Sequence, residues 1–248
     1  MSNCHTLHRN GYIVNTKEGL STNIGKDCGK TYFGVDFVVQ SKQYDRNITE
    51  SENRTKLLSF ALQVTDIERR INELRHQSQG ADWVHKKTRP LLNATSGCPH
   101  DVVRQISAMI RTGNNLLTKE REASASEIED MEAKAGRTLP RPQFISDPLA
   151  EILGVQALYG ENDLKDLLVF DLETHLGAFK NLIVEAMTYE QLRHWVKWAN
   201  AVETTIEKAT AAVAFGRQLL TEKNLMPFAE LLDRKDKALF KNYLATLN

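Results

Sequence analysis

Apolar positions follow two rhythms along this chain. Before about position 44 they come in short clusters. These are Tyr12-Ile13-Val14, then Leu20 to Ile24 beyond a Lys17-Glu18-Gly19 turn, then Tyr32, Phe33, Phe37, Val38 and Val39. That pattern predicts a β-hairpin beside a small apolar cluster. A module this size has too little core to stand without a metal or a neighbour. Further on the spacing becomes three and four, the helical period. Thr49-x-x-Glu52 reads as a capping box that opens a long amphipathic helix. Its stripe is Leu57, Ala61, Val64, Ile67, Ile71 and Leu74, and it ends near Gly80. Pro90 interrupts the next segment, and Pro99 suits the first turn of another helix. The stripe of that helix runs from Val102 through Ile106, Met109 and Gly113 to Leu117. It passes into an acidic face from Glu120 to Glu132, either a solvated helical extension or a partner-binding arm.

Gly136 to Asp147, with Pro140 and Pro142, is the best linker candidate. Asp147-Pro148 then reads as a helix start, an N-cap followed by a first-turn proline. After a break near Gly160, Leu164 to Ile183 is helical in period. Thr188-x-x-Gln191 is a second capping box. It opens a heptad seam on Leu192, Trp195, Ala199, Val202, Ile206, Ala209, Val213, Gly216 and Leu220. The small members Ala199, Ala209 and Gly216 let a partner helix come close. A last short helix carries Leu239, Phe240, Tyr243, Leu244 and Leu247. The expected fold is mainly α: long helices in a bundle with a small β-hairpin-containing N-terminal module. The expected divisions are a module over 1–44, a long-helix region over 45–135, a linker over 136–147 and a C-terminal helical bundle over 148–248. Strands nowhere alternate with helices as a parallel sheet needs.

Composition narrows the partners. The 248 residues carry 32 Lys+Arg against 32 Asp+Glu, so the whole chain has no net pull on nucleic acid or an acidic membrane. No apolar run approaches the ~18 residues of a membrane span. The opening MSNCHTLHRNGYIV lacks a signal-peptide core. Three cysteines argue against a disulfide framework. The expectation is a cytoplasmic protein with no membrane partner.

Little of the sequence carries chemistry. The stretch IGKDCGKTYFG ends its first half in Gly29-Lys30-Thr31, like a phosphate loop. The first glycine of such a loop belongs at position 24, which is Ile24, and no βαβ unit follows. Metal chemistry fits better. Cys4, His5 and His8 precede the hairpin and Cys28 follows it, and thiolate and imidazole are ligands that zinc prefers. Over about the first forty residues, the order of ligand pair, hairpin, Gly-x-x-Cys-Gly and helix start resembles the zinc-knuckle, treble-clef-like modules of phage and bacterial proteins. The resemblance implies a bound zinc, with Cys4, His5, His8 and Cys28 as its ligands. The usual second Cys-x-x-Cys pair is absent. The other reading of these residues is a hairpin with incidental Cys and His, Gly29 serving the turn.

Cys98-Pro99-His100 is a candidate nucleophile and base, with Cys98 at a helix N-terminus where a thiol pKa falls. Asp171, Glu173 and His175 lie close together but lack the paired Glu-x-x-His of a di-metal site. Arg69, Arg70 and Arg75, then Lys86, Lys87 and Arg89, form a basic cluster suited to phosphate contact; equally, cations at a helix C-terminus complement its dipole. Trp83 and Trp198 are candidate partner contacts. The reading that follows is a non-enzymatic interaction protein whose partner is a protein or a nucleoprotein complex. The knuckle-like start, the size and the lack of catalytic motifs suit a phage or mobile-element protein. Such proteins include antagonists of host defence complexes, in the manner of anti-CRISPR proteins. The alternative is a zinc-knuckle nucleic-acid-binding protein, and the third reading is an enzyme.

Overall fold

A computed structural model describes residues 11–15 and 19–247 of the chain. In chain order it contains strands β1 (Tyr12–Asn15) and β2 (Ser21–Ile24), then helices α1 (Lys26–Ala61), α2 (Val64–His76), α3 (Ala81–Leu92) and α4 (His100–Thr112). Next come β3 (Leu116–Glu122), α5 (Ala125–Ala135) and β4 (Phe144–Glu151). A π-helix over Lys165–Glu173 leads into α6 (Thr174–Lys180). The chain closes with α7 (Tyr189–Leu219), α8 (Glu222–Leu225) and α9 (Arg234–Ala245). The fold is mainly α, as the spacing of apolar residues implies, with two small two-stranded sheets of which only the N-terminal hairpin is expected. No described helix is long and apolar enough to cross a membrane.

The described chain divides into two units. One holds the chain up to Gln63 together with Asn181–Asn200; the other holds Val64–Lys180 and Ala201–Asn248. Helix α7 contributes its first turns to the first unit and the rest to the second.

In the first unit, β1 and β2 form the antiparallel hairpin that the Lys17-Glu18-Gly19 turn predicts, pairing Tyr12 with Ile24 and Asn15 with Ser21. Helix α1 follows at once and is kinked at Gly34, where φ is 68° and ψ −146°. It begins at Lys26, so Thr49 and Glu52 lie mid-helix and cap nothing. The Thr49 hydroxyl instead donates to the Asp45 carbonyl one turn back. The long helix expected from Leu57 to Leu74 is two helices, α1 and α2, broken at Leu62-Gln63. Leu57 and Phe60 are buried in α1, and Val64, Ile67, Ile71 and Leu74 in α2, whereas Ala61 of the expected stripe is exposed.

Capping holds the start of α7 in place. The Thr188 hydroxyl accepts from the Gln191 backbone N–H at 3.3 Å, and the Gln191 side-chain Oε1 accepts from the Thr188 N–H at 2.8 Å. This is the reciprocal box that the sequence pattern implies. Arg54 of α1 fixes the turn before it, donating to the carbonyls of Val184, Glu185 and Met187 at 2.6–2.9 Å. It also pairs with Glu50 at 2.6 Å.

In the second unit, the stripe expected to run on from α4 to Leu117 stops at Thr112. Gly113 caps α4 in the left-handed region, with φ 67° and its N–H donating to the Met109 carbonyl. A side chain there would be strained, which is why glycine commonly ends helices. Leu116 to Glu122 is therefore a strand, not a helical extension. The expected helix start at Asp147-Pro148 is likewise a strand. β4 pairs with β3, setting Lys119 against Asp147, with a bulge between Leu117 and Thr118 opposite Pro148 and Ala150. A bulge on an edge strand is where a sheet tolerates a proline that has no N–H to give. Gly136–Asp147 thus lies inside one unit, as the return from α5 into β4, and does not separate units. Ser124-x-x-Glu127 forms a full capping box at the start of α5.

The heptad seam of α7 is satisfied within the chain where it crosses this unit. Val202, Ile206, Ala209, Val213 and Leu220 are buried. At Gly216 a Cβ would lie 2.2 Å from a methyl carbon of Val84, so α3 approaches α7 through the missing side chain. The last helix packs as its pattern implies, burying Phe240, Tyr243 and Leu244.

Candidate functional site

The first unit carries the most exposed apolar surface. Twelve of the eighteen large exposed hydrophobic residues among those described belong to it. Their arrangement follows from how little the hairpin covers. Tyr12 sits edge-on against Phe37 at 5.5 Å and against Tyr44 at 6.0 Å, and its hydroxyl donates to the Asp45 carboxylate at 2.7 Å. That contact seals Phe37 and Ser41 in the middle of an apolar stripe on α1, at 8% and 4% exposure. Phe33, stacked on Phe37 at 6.1 Å, stays 45% exposed at one end. Tyr44 and Ile48 stay exposed at the other end, whereas Val35 and Val39, 77% and 60% exposed, fall half a helical turn from Phe37, on the opposite side of α1. Exposed apolar side chains gathered in this way are the usual mark of a contact surface.

The candidate metal ligands Cys4, His5 and His8 lie outside the described residues. Cys28 is described: it is half-buried in the first turn of α1, directly after β2. Gly29 packs beneath the Phe37 ring, where a Cβ would fall 2.1 Å from its carbons, so it serves packing and not a turn. Lys30 and Thr31 lie in the same helix, and the Thr31 hydroxyl donates to the Asp27 carbonyl. Among the described residues, no group of three or more His, Cys, Asp or Glu side chains is placed to hold a metal.

The basic cluster is largely matched by carboxylates of its own unit. Arg69 pairs with Asp66 and Glu73, each at 2.6 Å. Arg70 makes a two-pronged contact to Glu203 at 2.7 and 2.9 Å. Arg75 joins Asp82 at 2.9 Å and Glu173 at 2.6 Å, and these hydrogen bonds drive its pKa further upward. The Lys87 ammonium donates to the Thr246 carbonyl. Lys86 and Arg89 make no ion pair among the described residues. Arg89 lines a cavity of about 390 Å³ formed with residues 157–164.

Trp198 belongs to an aromatic cluster, edge-on to Phe60 at 5.6 Å and to Trp195 at 5.5 Å, and is half-buried. Trp83 is half-buried on α3. Cys98 does not have the lowered pKa expected at a helix N-terminus. It is 1% exposed, and burial pushes its thiol up to about 12. Such a thiol is a core side chain, not a nucleophile. Asp171 and His175 sit at the end of the π-helix, where His175 Nδ1 lies 2.6 Å from the Asp171 carbonyl oxygen and 3.7 Å from its carboxylate. Glu173 is committed to Arg75.

Comparison with protein-family models, curated proteins and solved structures finds no match, so the functional reading rests on the chain's own residues.

Proposed function

We propose that this is a non-enzymatic interaction protein that binds a protein or nucleoprotein complex through the exposed α1 face of its N-terminal unit. The observation that carries the reading is the exposed apolar surface of α1, where Phe33, Tyr44 and Ile48 flank the stretch sealed by the hairpin and Val35 and Val39 stand exposed on the opposite side. Two further observations favour protein over phosphate as the contact. Arg69, Arg70 and Arg75 are engaged by carboxylates, and Cys98 is a buried, protonated thiol. The zinc-knuckle resemblance belongs to the same proposal. The described hairpin runs directly into a helix with Cys28 in its first turn, the order the resemblance implies. Zinc held there would fix the hairpin under the docking face and contribute about 10 kcal/mol to folding the module.

The test is affinity capture from host lysate with and without nuclease, using the full chain and a Phe33→Asp/Ile48→Asp variant. A defined protein set that survives nuclease and is lost with the variant supports the reading. Capture that vanishes with nuclease, at a steep salt dependence, moves the function to the basic residues and refutes it. Zinc is tested separately by mass spectrometry of the native protein and by melting with EDTA. An unchanged melting temperature and no bound metal end the zinc part alone.

A further inference from the structure

The second unit contains a cleft with no part in the docking face. It opens between α3 and residues 157–164, holds about 390 Å³, and adjoins a smaller cavity of about 250 Å³ with which it shares His85 and Leu164. Pockets that hold small molecules begin at about this size, apolar within and marked by a few placed polar groups. Here the apolar part is supplied by Val84, Leu158 and Leu164, all buried. Two charged side chains of opposite sign line the same space: the exposed Arg89 of α3, and the half-buried Asp163 of the turn that precedes the π-helix.

Their partners show what remains available. Arg89 makes no hydrogen bond or ion pair among the described residues. Asp163 uses one oxygen, Oδ1, to accept from the backbone N–H groups of Lys165 at 2.8 Å and Asp166 at 3.2 Å. That fixes its carboxylate against the helix start and leaves Oδ2 uncommitted. The two charges do not pair with each other, although they share one cavity. A simple anion at Arg89 would be opposed by Asp163, and a simple cation at Asp163 by Arg89. A ligand bearing both signs satisfies both side chains, and its apolar body lies over Leu158 and Leu164.

We propose that this cleft binds a small zwitterion of the amino-acid class, with its carboxylate toward Arg89 and its ammonium toward Asp163. The adjoining cavity beyond His85 gives its side chain room. The site is independent of the α1 face, so a Phe33→Asp/Ile48→Asp variant binds the zwitterion normally.

The experiment is a screen by amide chemical-shift perturbation of the full chain with the twenty common amino acids, β-alanine and γ-aminobutyrate. At least one of these is expected to shift residues 88–96 and 157–165 saturably. The matching deaminated acid and decarboxylated amine, and the Arg89→Gln and Asp163→Asn variants, are each expected to weaken binding about tenfold or more. Asparagine keeps the oxygen that accepts from Lys165 and Asp166, so Asp163→Asn removes charge without removing the cap. The proposal is overturned if no zwitterion shifts these residues at millimolar concentration. It is also overturned if the acid alone binds as well as the amino acid, or if both variants bind it unchanged.

Discussion

The contact between α3 and α7 predicts an unusual sign for a familiar substitution. Gly→Ala within a helix ordinarily stabilises by about 1 kcal/mol, because alanine has less backbone entropy to lose. At Gly216 the added Cβ would lie 2.2 Å from one Val84 methyl carbon and 2.9 Å from the other. Val84 cannot swing aside. It is 1% exposed, and a valine in a helix has essentially one χ1 well. Its carbonyl also accepts from the buried Thr88 hydroxyl at 2.9 Å, which stiffens that turn of α3. The helices must therefore separate, and overpacking of this kind costs about 1–3 kcal/mol. The net expectation for Gly216→Ala is a loss of about 1–2 kcal/mol, read as a lower urea midpoint in far-UV circular dichroism. Val84→Ala alone leaves a cavity and costs about 1–3 kcal/mol. In the double variant the new methyl occupies that space, so the two losses should fall short of additivity by about 1 kcal/mol or more. Stabilisation by Gly216→Ala, or strict additivity of the pair, would refute the close approach.

Other consequences follow from single contacts. Arg54→Ala should cost about 2–4 kcal/mol, since charged hydrogen bonds to three carbonyls and one carboxylate are lost. Amide exchange at residues 184–187 should speed up; unchanged protection there would show that Arg54 does not hold the turn. Cys98 should resist thiol reagents at pH 8 until urea unfolds the chain. Its folded pKa of about 12 lies above the ordinary value of 9.0, so the unfolded chain ionises first and stability should fall as pH rises from about 9 toward 12. Labelling of the native protein at the unfolded rate would contradict its burial. Glu127 runs the other way. The Arg121 guanidinium, then the Ser124 N–H and hydroxyl, hold its carboxyl down to about 2 from 4.5. Its contribution is present above about 4.5 and is lost as pH falls toward 2, and salt should weaken it because the group is exposed. In Arg121→Ala, NMR titration of Glu127 should move back up toward 4.5; an unmoved titration would remove Arg121 as the cause.

What the sequence could and could not reveal follows from the range of each interaction. The helical stripes of α2, α4, α7 and α9 are local patterns, and the structure buries most of their members, with Leu239 exposed and Ala199 half-buried. The strands β3 and β4 were hidden because Leu116-Leu117 continues the α4 spacing and Asp147-Pro148 mimics a helix start. Two local signals pointed the other way: Gly113 as a helix stop, and Ser124-x-x-Glu127 as the capping box of α5. The ion pairing of the basic cluster was hidden because its partners are distant. Glu203 lies 133 residues from Arg70, and Glu173 lies 98 from Arg75, so no window of sequence shows them neutralised. The cleft at Arg89 and Asp163 is likewise a product of tertiary packing.

The α1 face was legible in part, and simple geometry explains the remainder. The sequence shows one apolar cluster around Phe37, which suggests a covered core. Each hairpin strand, however, has four residues and spans about 13 Å. The stretch of α1 from Val35 to Ile48 spans about 20 Å at 1.5 Å per residue. A hairpin of that length seals roughly two turns of the helix, which is what the burial of Phe37 and Ser41 records. Tyr12 reaches as far as Tyr44, and Phe33 and Ile48 at the two ends stay exposed beyond the seal. A partner that completes the cover must therefore bring apolar surface to both ends of the sealed segment at once. Phe33→Asp and Ile48→Asp, one at each end, should each weaken capture of that partner. If only one of them does, the partner docks on that end alone, and a two-ended contact is refuted.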